Sequence, residues 1–150
     1  MKKSITGAVL FVLLSVSFAF ANNDKNGSVI NQDIENAFYK EFSYAKDATW
    51  TKFRNYYRVQ FTINDRVFFA LLDNNGQTIG LYRNILSTQL PIQLESNLKK
   101  NYGNYWITEL FELVQDNQTF YYVTIESADN IITLKSDNSA DWQTFQQSKK

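Results

Sequence analysis

Two stretches of this chain match each other without a gap at a spacing of 64 residues. YYRVQFTINDRVFFALLDNNG runs from Tyr56 to Gly76, and FYYVTIESADNIITLKSDNSA runs from Phe120 to Ala140. Val59 falls on Val123, Phe61 on Ile125, Asp65 on Asp129, and Asp73-Asn74 on Asp137-Asn138. Each stretch reads as an alternating run, a short polar turn, a second apolar run and a second turn, which is the pattern of consecutive antiparallel strands. A match that holds both turns in register predicts a duplicated unit, each copy a helix followed by an antiparallel β-meander. One helix on three or four strands buries little by itself. Two such units side by side extend a single antiparallel sheet and pack both helices on one of its faces. The expected class is α+β, a tandem repeat with halves over 31–86 and 88–147.

The helices announce themselves by period. Ile34, Phe38 and Phe42 recur at i, i+4, i+8 within 31–42, and Leu94, Leu98 and Tyr102 do the same after Leu90. Asn31 or Asp33 supplies the short acceptor that caps the first helix. Pro91, the only proline, stands where a first helical turn tolerates it, and Gly103 is placed to stop the second helix. Residues 44–50 read as a lead out of the first helix, with Trp50 as a core anchor. Strands are expected at 56–63, 67–72 and 78–85, then at 106–115, 120–127, 131–135 and 141–145, with Lys149-Lys150 a solvated tail. Asn64-Asp65, Asp73-Asn74-Asn75-Gly76, Asp116-Asn117-Gln118 and Asp137-Asn138-Ser139 are the turns, because Asn, Asp and Gly accept positive φ.

The N-terminus follows another rule. Lys2-Lys3 precedes an apolar run from Ile5 to Phe20, and Ala19-Phe20-Ala21 is a small-residue cleavage site followed by polar Asn22. This predicts a secretory signal peptide over 1–21, cut after Ala21, and then a flexible arm over 22–30. The run is short for a membrane span. A periplasmic or secreted protein follows, with no membrane attachment after cleavage. Removing the leader takes Lys2 and Lys3 with it and leaves 13 basic residues against 15 acidic ones, so nothing points to nucleic acid or an anionic membrane as partner. Cysteine is absent despite the predicted export, so the fold stands on its core, and 12 Phe, 9 Tyr and 3 Trp supply the area.

Catalytic chemistry finds little to work with. The chain has no histidine and no cysteine. That removes the usual general base near neutrality, the commonest zinc ligands and the thiol nucleophile. Five scattered glycines make no phosphate loop. Glu109 and Glu112 would face opposite sides of a strand, and the 73–76 turn lacks the alternate ligands and closing glutamate of a calcium loop. No metal, no cofactor and no enzymatic activity are expected.

Strand parity offers more. If Tyr57, Val59 and Phe61 face the helices, Tyr56, Arg58 and Gln60 face away, as do Tyr122, Thr124 and Glu126. The 64-residue register puts Val67, Phe69 and Leu71 on the same outer face. Aromatic residues with arginine among polar groups are the composition of protein-binding hot spots. The candidate binding residues are Tyr56, Arg58, Phe69, Tyr82 and Tyr122.

The order of these motifs resembles a known family. A helix runs into Phe42, Ala45, Ala48 and Trp50, then Tyr57-x-Val59-x-Phe61, then a turn from Asp73 to Gly76, then Leu90-Pro91 opening a helix that closes on Lys100-x-Tyr102. This is similar to the PepSY-like, β-lactamase-inhibitor-like (BLIP-like) small secreted proteins common in Bacteroidetes. The stretch from Lys100 to Gly103 departs from that pattern by lacking a proline. The resemblance implies a tandem of helix plus antiparallel strands and a protein-binding role of inhibitor type through the sheet; no inhibitory motif carries over. The expectation is an exported, non-enzymatic protein-binding module. The alternative is a periplasmic carrier holding a small apolar ligand between helices and sheet, which the aromatic excess would line.

Overall fold

The structure, a computed structural model, describes residues 30–137 and 140–150. The predicted leader, nearly all of the predicted arm, and Asn138 and Ser139 of the last turn lie outside the described residues. Two helices and eight strands follow in the order α1 (Gln32–Glu41), β1 (Lys46–Lys52), β2 (Tyr56–Ile63), β3 (Arg66–Asp73), β4 (Thr78–Asn84), α2 (Ile92–Tyr102), β5 (Trp106–Gln115), β6 (Gln118–Glu126), β7 (Asn130–Ser136) and β8 (Gln143–Lys149). A single 3-10 turn, Ser87–Gln89, leads into α2. All eight strands pair antiparallel with their sequence neighbours in one sheet, β1 to β8 in order. This is an α+β fold in which helix-then-four-strands occurs twice along the chain.

Local chemistry explains the connections. Asn64-Asp65 and Asp116-Asn117 each sit at φ of 50° and 60° and close two-residue hairpins, the left-handed turn that matches strand twist. At the β3–β4 turn the Asp73 carboxylate accepts backbone N–H from Asn75 and Gln77, each at 2.9 Å. Gly76 completes that turn at φ 82°, and a Cβ there would stand 3.1 Å from the Ala37 Cβ, so the turn lies directly against α1. Asn31 caps α1, its side chain accepting from the Asp33 N–H at 2.9 Å. Gly103 ends α2 for a different reason: its φ is an ordinary −60°, but a Cβ would come within 2.8 Å of the Lys99 carbonyl oxygen.

Each helix presses an apolar stripe onto one face of the sheet. Ile34 and Phe38 of α1 pack on Tyr57, Val59, Phe61, Ala70 and Leu72. Leu94 and Leu98 of α2 pack on Leu110, Val123, Ile125, Ile132 and Leu134. Under α1 the contact is ring on ring: Phe38 stands 5.1 Å from Phe61 and 5.3 Å from Trp50, edge to face. The Trp142 indole N–H donates to the Leu94 carbonyl at 3.0 Å and ties the approach to β8 to α2.

Four expectations need correction. Residues 44–50 do not merely leave the helix; residues 46–52 form β1, an edge strand whose Trp50 and Ala48 pack under α1 while the rest is mostly open to solvent. The last strand runs from 143 to 149 rather than 141 to 145, and the Lys-Lys end, solvated as expected, is no free tail: Lys149 pairs with Asn130, and the Lys150 ammonium meets Glu126 at 2.7 Å. Ile30, placed at the end of the flexible arm, packs against the α1 cluster.

Candidate functional site

Strand parity divides the sheet into a helix-covered face and a helix-free face. The helix-free row is continuous across seven strands. Gln60 opposes Phe69, Phe69 opposes Tyr82, and Tyr82 opposes Leu113. Asn84 opposes Phe111, Phe111 opposes Tyr122, Thr124 opposes Thr133, and Thr133 opposes Gln146. The sheet curves around this row and encloses a groove of about 910 Å³. Arg58, Gln60, Phe69 and Tyr82 line one end of it; Thr124, Thr133, Gln146 and Ser148 line the other.

All five predicted site residues stand on this face, but not in one role. Phe69 and Tyr82 are half-buried and stack on each other at 4.6 Å in the groove wall. Arg58 is half-buried beside them, its guanidinium 5.8 Å from the Phe53 ring centre. Tyr122 is 1% exposed and Tyr56 is 6% exposed. Tyr122 lies stacked on Phe111 at 5.1 Å, with the Phe145 edge against it at 5.8 Å and Lys135 above. Tyr56 stacks on Phe53 at 4.5 Å. These two tyrosines build the floor of the face and offer almost no surface to a partner.

The groove's electrostatics follow from that burial. Desolvation pushes the Tyr56 hydroxyl up to about 12, with Arg58 pulling the other way. Burial likewise raises the Tyr82 hydroxyl, with the Arg58 guanidinium pulling it down, and raises Tyr122. The tyrosines are therefore neutral hydrogen-bonding groups through the ordinary pH range. Among lining residues the charges are few and mixed: Arg58, Glu109 and Glu126, the last neutralised by Lys150. Glu109 and Glu112 do face opposite sides, toward Thr124 and Tyr121 respectively. The Asp73 carboxylate is engaged by its own turn, and no group of three metal-ligating side chains occurs among the described residues.

Sequence reasoning placed Val67 on this face but missed the rest of the rim. Leu86 is 69% exposed and Trp106 is 68% exposed, with Ile107 and Val67 also open. Leu86 and Ile107 line the groove. Trp106 opposes Glu126, and Val67 opposes Thr62, so both share the helix-free face. A cue existed in Leu86, an apolar residue between a strand and a turn with no periodic partner. Trp106 carries no such mark, because it reads as an ordinary strand residue.

No protein-family model matches this chain, and no curated protein sequence matches it significantly. Solved structures do share its fold. A BLIP-like protein from Bacteroides fragilis superposes with a TM-score of 0.71 at 17% identity, over 85% of this chain and 92% of that one. A DUF2874 family protein from Bacteroides ovatus gives 0.71 at 13% identity, over 82% and 89%. A proposed periplasmic protein from Bacteroides eggerthii gives 0.68 at 9% identity, over 79% and 87%. At these identities the likeness is one of fold, and the fold is BLIP-like.

Proposed function

We propose that this chain is an exported, non-enzymatic binding module that holds a protein partner in the groove on the helix-free face of its sheet. The observation that carries the reading is the groove itself: a near-neutral surface built from seven strands, with Phe69, Tyr82 and Arg58 in its wall and Leu86 and Trp106 standing open at its rim. A fixed sheet presents such groups without an ordering cost on binding, and aromatic and arginine side chains are those that dominate interface energies. The periplasm as its compartment is supported by the leader motif and by the fold shared with a proposed periplasmic protein. An inhibitor-like role and a PepSY-like ancestry with true internal duplication are the finer parts of the same proposal; they lean on the motif resemblance, the BLIP-like fold and the repeated element order. The ligand-carrier alternative would need room between helix and sheet, where Phe38, Phe42 and Phe61 already stand 5.0 to 5.2 Å apart.

The test places a photo-crosslinking residue at Leu86 or, as a control, at exposed Ile92 on α2, in the mature protein expressed in its own cell envelope. Capture of one protein from position 86 alone, lost when Arg58→Glu and Phe69→Asp are added, is the expected result. Equal capture from both positions, or capture insensitive to the groove substitutions, rejects the groove as the site.

A further inference from the structure

An open sheet has two edges, and each leaves a row of backbone N–H and C=O groups able to pair with another strand; natural sheets guard such edges with charges, bulges or proline. The two edges of this sheet, β1 and β8, differ in how they are guarded. β1 carries Lys46 and Lys52 at its ends, and Asp47 sits at φ 54° in an irregularity that breaks the pairing register. Antiparallel pairing of β1 with a second β1 about Thr49 would set Lys46 against Lys52 twice, and like charges directly opposed destabilise a strand pair. β8 reads QTFQQSK: Gln143 through Ser148 carry no charge and no proline, and all seven residues are exposed. Its one irregularity falls at Phe145, beyond which Gln146, Gln147, Ser148 and Lys149 run in unbroken register with β7.

We propose that β8 is a docking edge for a second copy of this chain, the two β8 strands pairing antiparallel about a twofold axis near Gln146 and Gln147. The sequence favours this occupant over others. A register centred on Gln146 or Gln147 sets Lys149 against Gln143 or Phe145 of the second copy, both uncharged. β8 paired on itself closes at two copies, whereas β8 on the charged β1 of another copy would be head-to-tail and open-ended. Phe145, 37% exposed and resting edge-on against Tyr122, is an apolar ring at this edge that a second strand covers. The two grooves then lie on one face of a doubled sheet. The inference stands on the edge alone and does not depend on what the groove holds.

The experiment is sedimentation of the mature protein over a wide concentration range, for wild type, for Gln146→Lys with Gln147→Lys, and for Gln146→Glu with Gln147→Glu. Wild type is expected to double in mass as concentration rises. Each charged variant is expected to stay a monomer whose melting temperature matches that of dilute, monomeric wild type, since both positions are exposed and only dimerisation raises it. Mixing the lysine and glutamate variants is expected to restore the dimer, because opposed residues then carry opposite charges. Amide exchange of β8 in wild type is expected to slow as concentration rises. A wild type that is monomeric throughout, a dimer indifferent to the lysines, or a mixture that stays monomeric would each overturn the proposal.

Discussion

Tyr122 shows how much a single side chain's surroundings decide. It faces away from both helices, yet Phe111, Phe145 and Lys135 close over it. Tyr122→Ala removes a fully enclosed ring, and large-to-small changes of this kind cost about 3 to 5 kcal/mol. Arg58→Ala removes a half-exposed group and is expected to cost under about 1 kcal/mol, the usual scale for substitutions at such positions. Urea unfolding of the two variants should separate them by several kcal/mol, and equal costs would mean that Tyr122 is not enclosed. Ser136 is the converse case. Its hydroxyl is buried with no hydrogen-bond partner among the described residues, so the desolvation of that oxygen is uncompensated. Ser136→Ala is expected to be neutral or to stabilise by about 1 kcal/mol in the same assay. The tyrosines also set an alkaline limit. Tyr56 is held at about 12 by burial, while an unfolded tyrosine ionises near 10. The unfolded chain therefore releases this proton first, so the contribution to stability is whole below about pH 10 and is lost as pH rises toward 12. Tyr82 and Tyr122 shift in the same direction and add to the loss. Thermal melts from pH 8 to 11 should show a falling melting temperature above pH 9 to 10, and a flat profile would contradict the enclosure of these hydroxyls.

At the scale of elements, legibility in the sequence tracks one-sided burial. Apart from the buried Tyr56 and Tyr122, β2 and β6 alternate because one face meets a helix and the other meets water or the groove, so the parity of Tyr57, Val59 and Phe61 could be read directly. The two-residue turns were legible for an equally local reason, since Asn and Asp pairs tolerate φ near 50° to 60°. Of the edge strands, β1 was not and β8 was only in part. β1 buries only parts of Ala48, Trp50 and Thr51, and β8 buries none of its residues, so neither carries the alternation that marks a strand; backbone pairing with β2 and β7 makes them. The burial of Tyr122 was hidden for a different reason, because the rings that cover it come from β5 and the β8 strand, far away in sequence. The β3–β4 turn offers a direct test of how an element is held in place. A Cβ at Gly76 would stand 3.1 Å from the Ala37 Cβ and 3.3 Å from the Ile34 Cα, and Thr78 donates to Glu41 at 2.7 Å. Gly76→Val adds both a strained φ and a clash with α1, and a loss of about 2 kcal/mol or more is expected from the combination. Thr78→Val, on the exposed side of the same junction, should cost under about 1 kcal/mol. If the two substitutions cost the same, the turn is not braced against the helix.

For the whole molecule, the question is whether the two helix-plus-four-strand halves are independent. The helix-covered clusters are largely local: one belongs to α1 with β1 to β4, the other mainly to α2 with β5 to β7. The cluster on the groove face is not. Tyr56 and Leu71 come from the first half, while Phe111, Leu113, Phe120 and Tyr122 come from the second. The halves are also joined by backbone pairing of β4 with β5, from Leu81 opposite Val114 to Asn84 opposite Phe111, and by the Arg83–Glu112 ion pair at 3.3 Å across that seam. Separating them exposes two long unpaired strands and strips the floor from the groove, which leaves a half of about 60 residues, four strands and one helix, marginal by itself. The groove face therefore exists only in the joined molecule, whatever the origin of its halves. A chain divided within the Ser87–Gln89 turn tests this. Each fragment alone is expected to show no cooperative thermal transition, and equimolar mixing is expected to restore the near-ultraviolet dichroism of the stacked aromatic pairs, Phe69 with Tyr82 and Phe111 with Tyr122. A single fragment that melts cooperatively by itself would show that the halves are self-sufficient and that the groove was added to two finished folds.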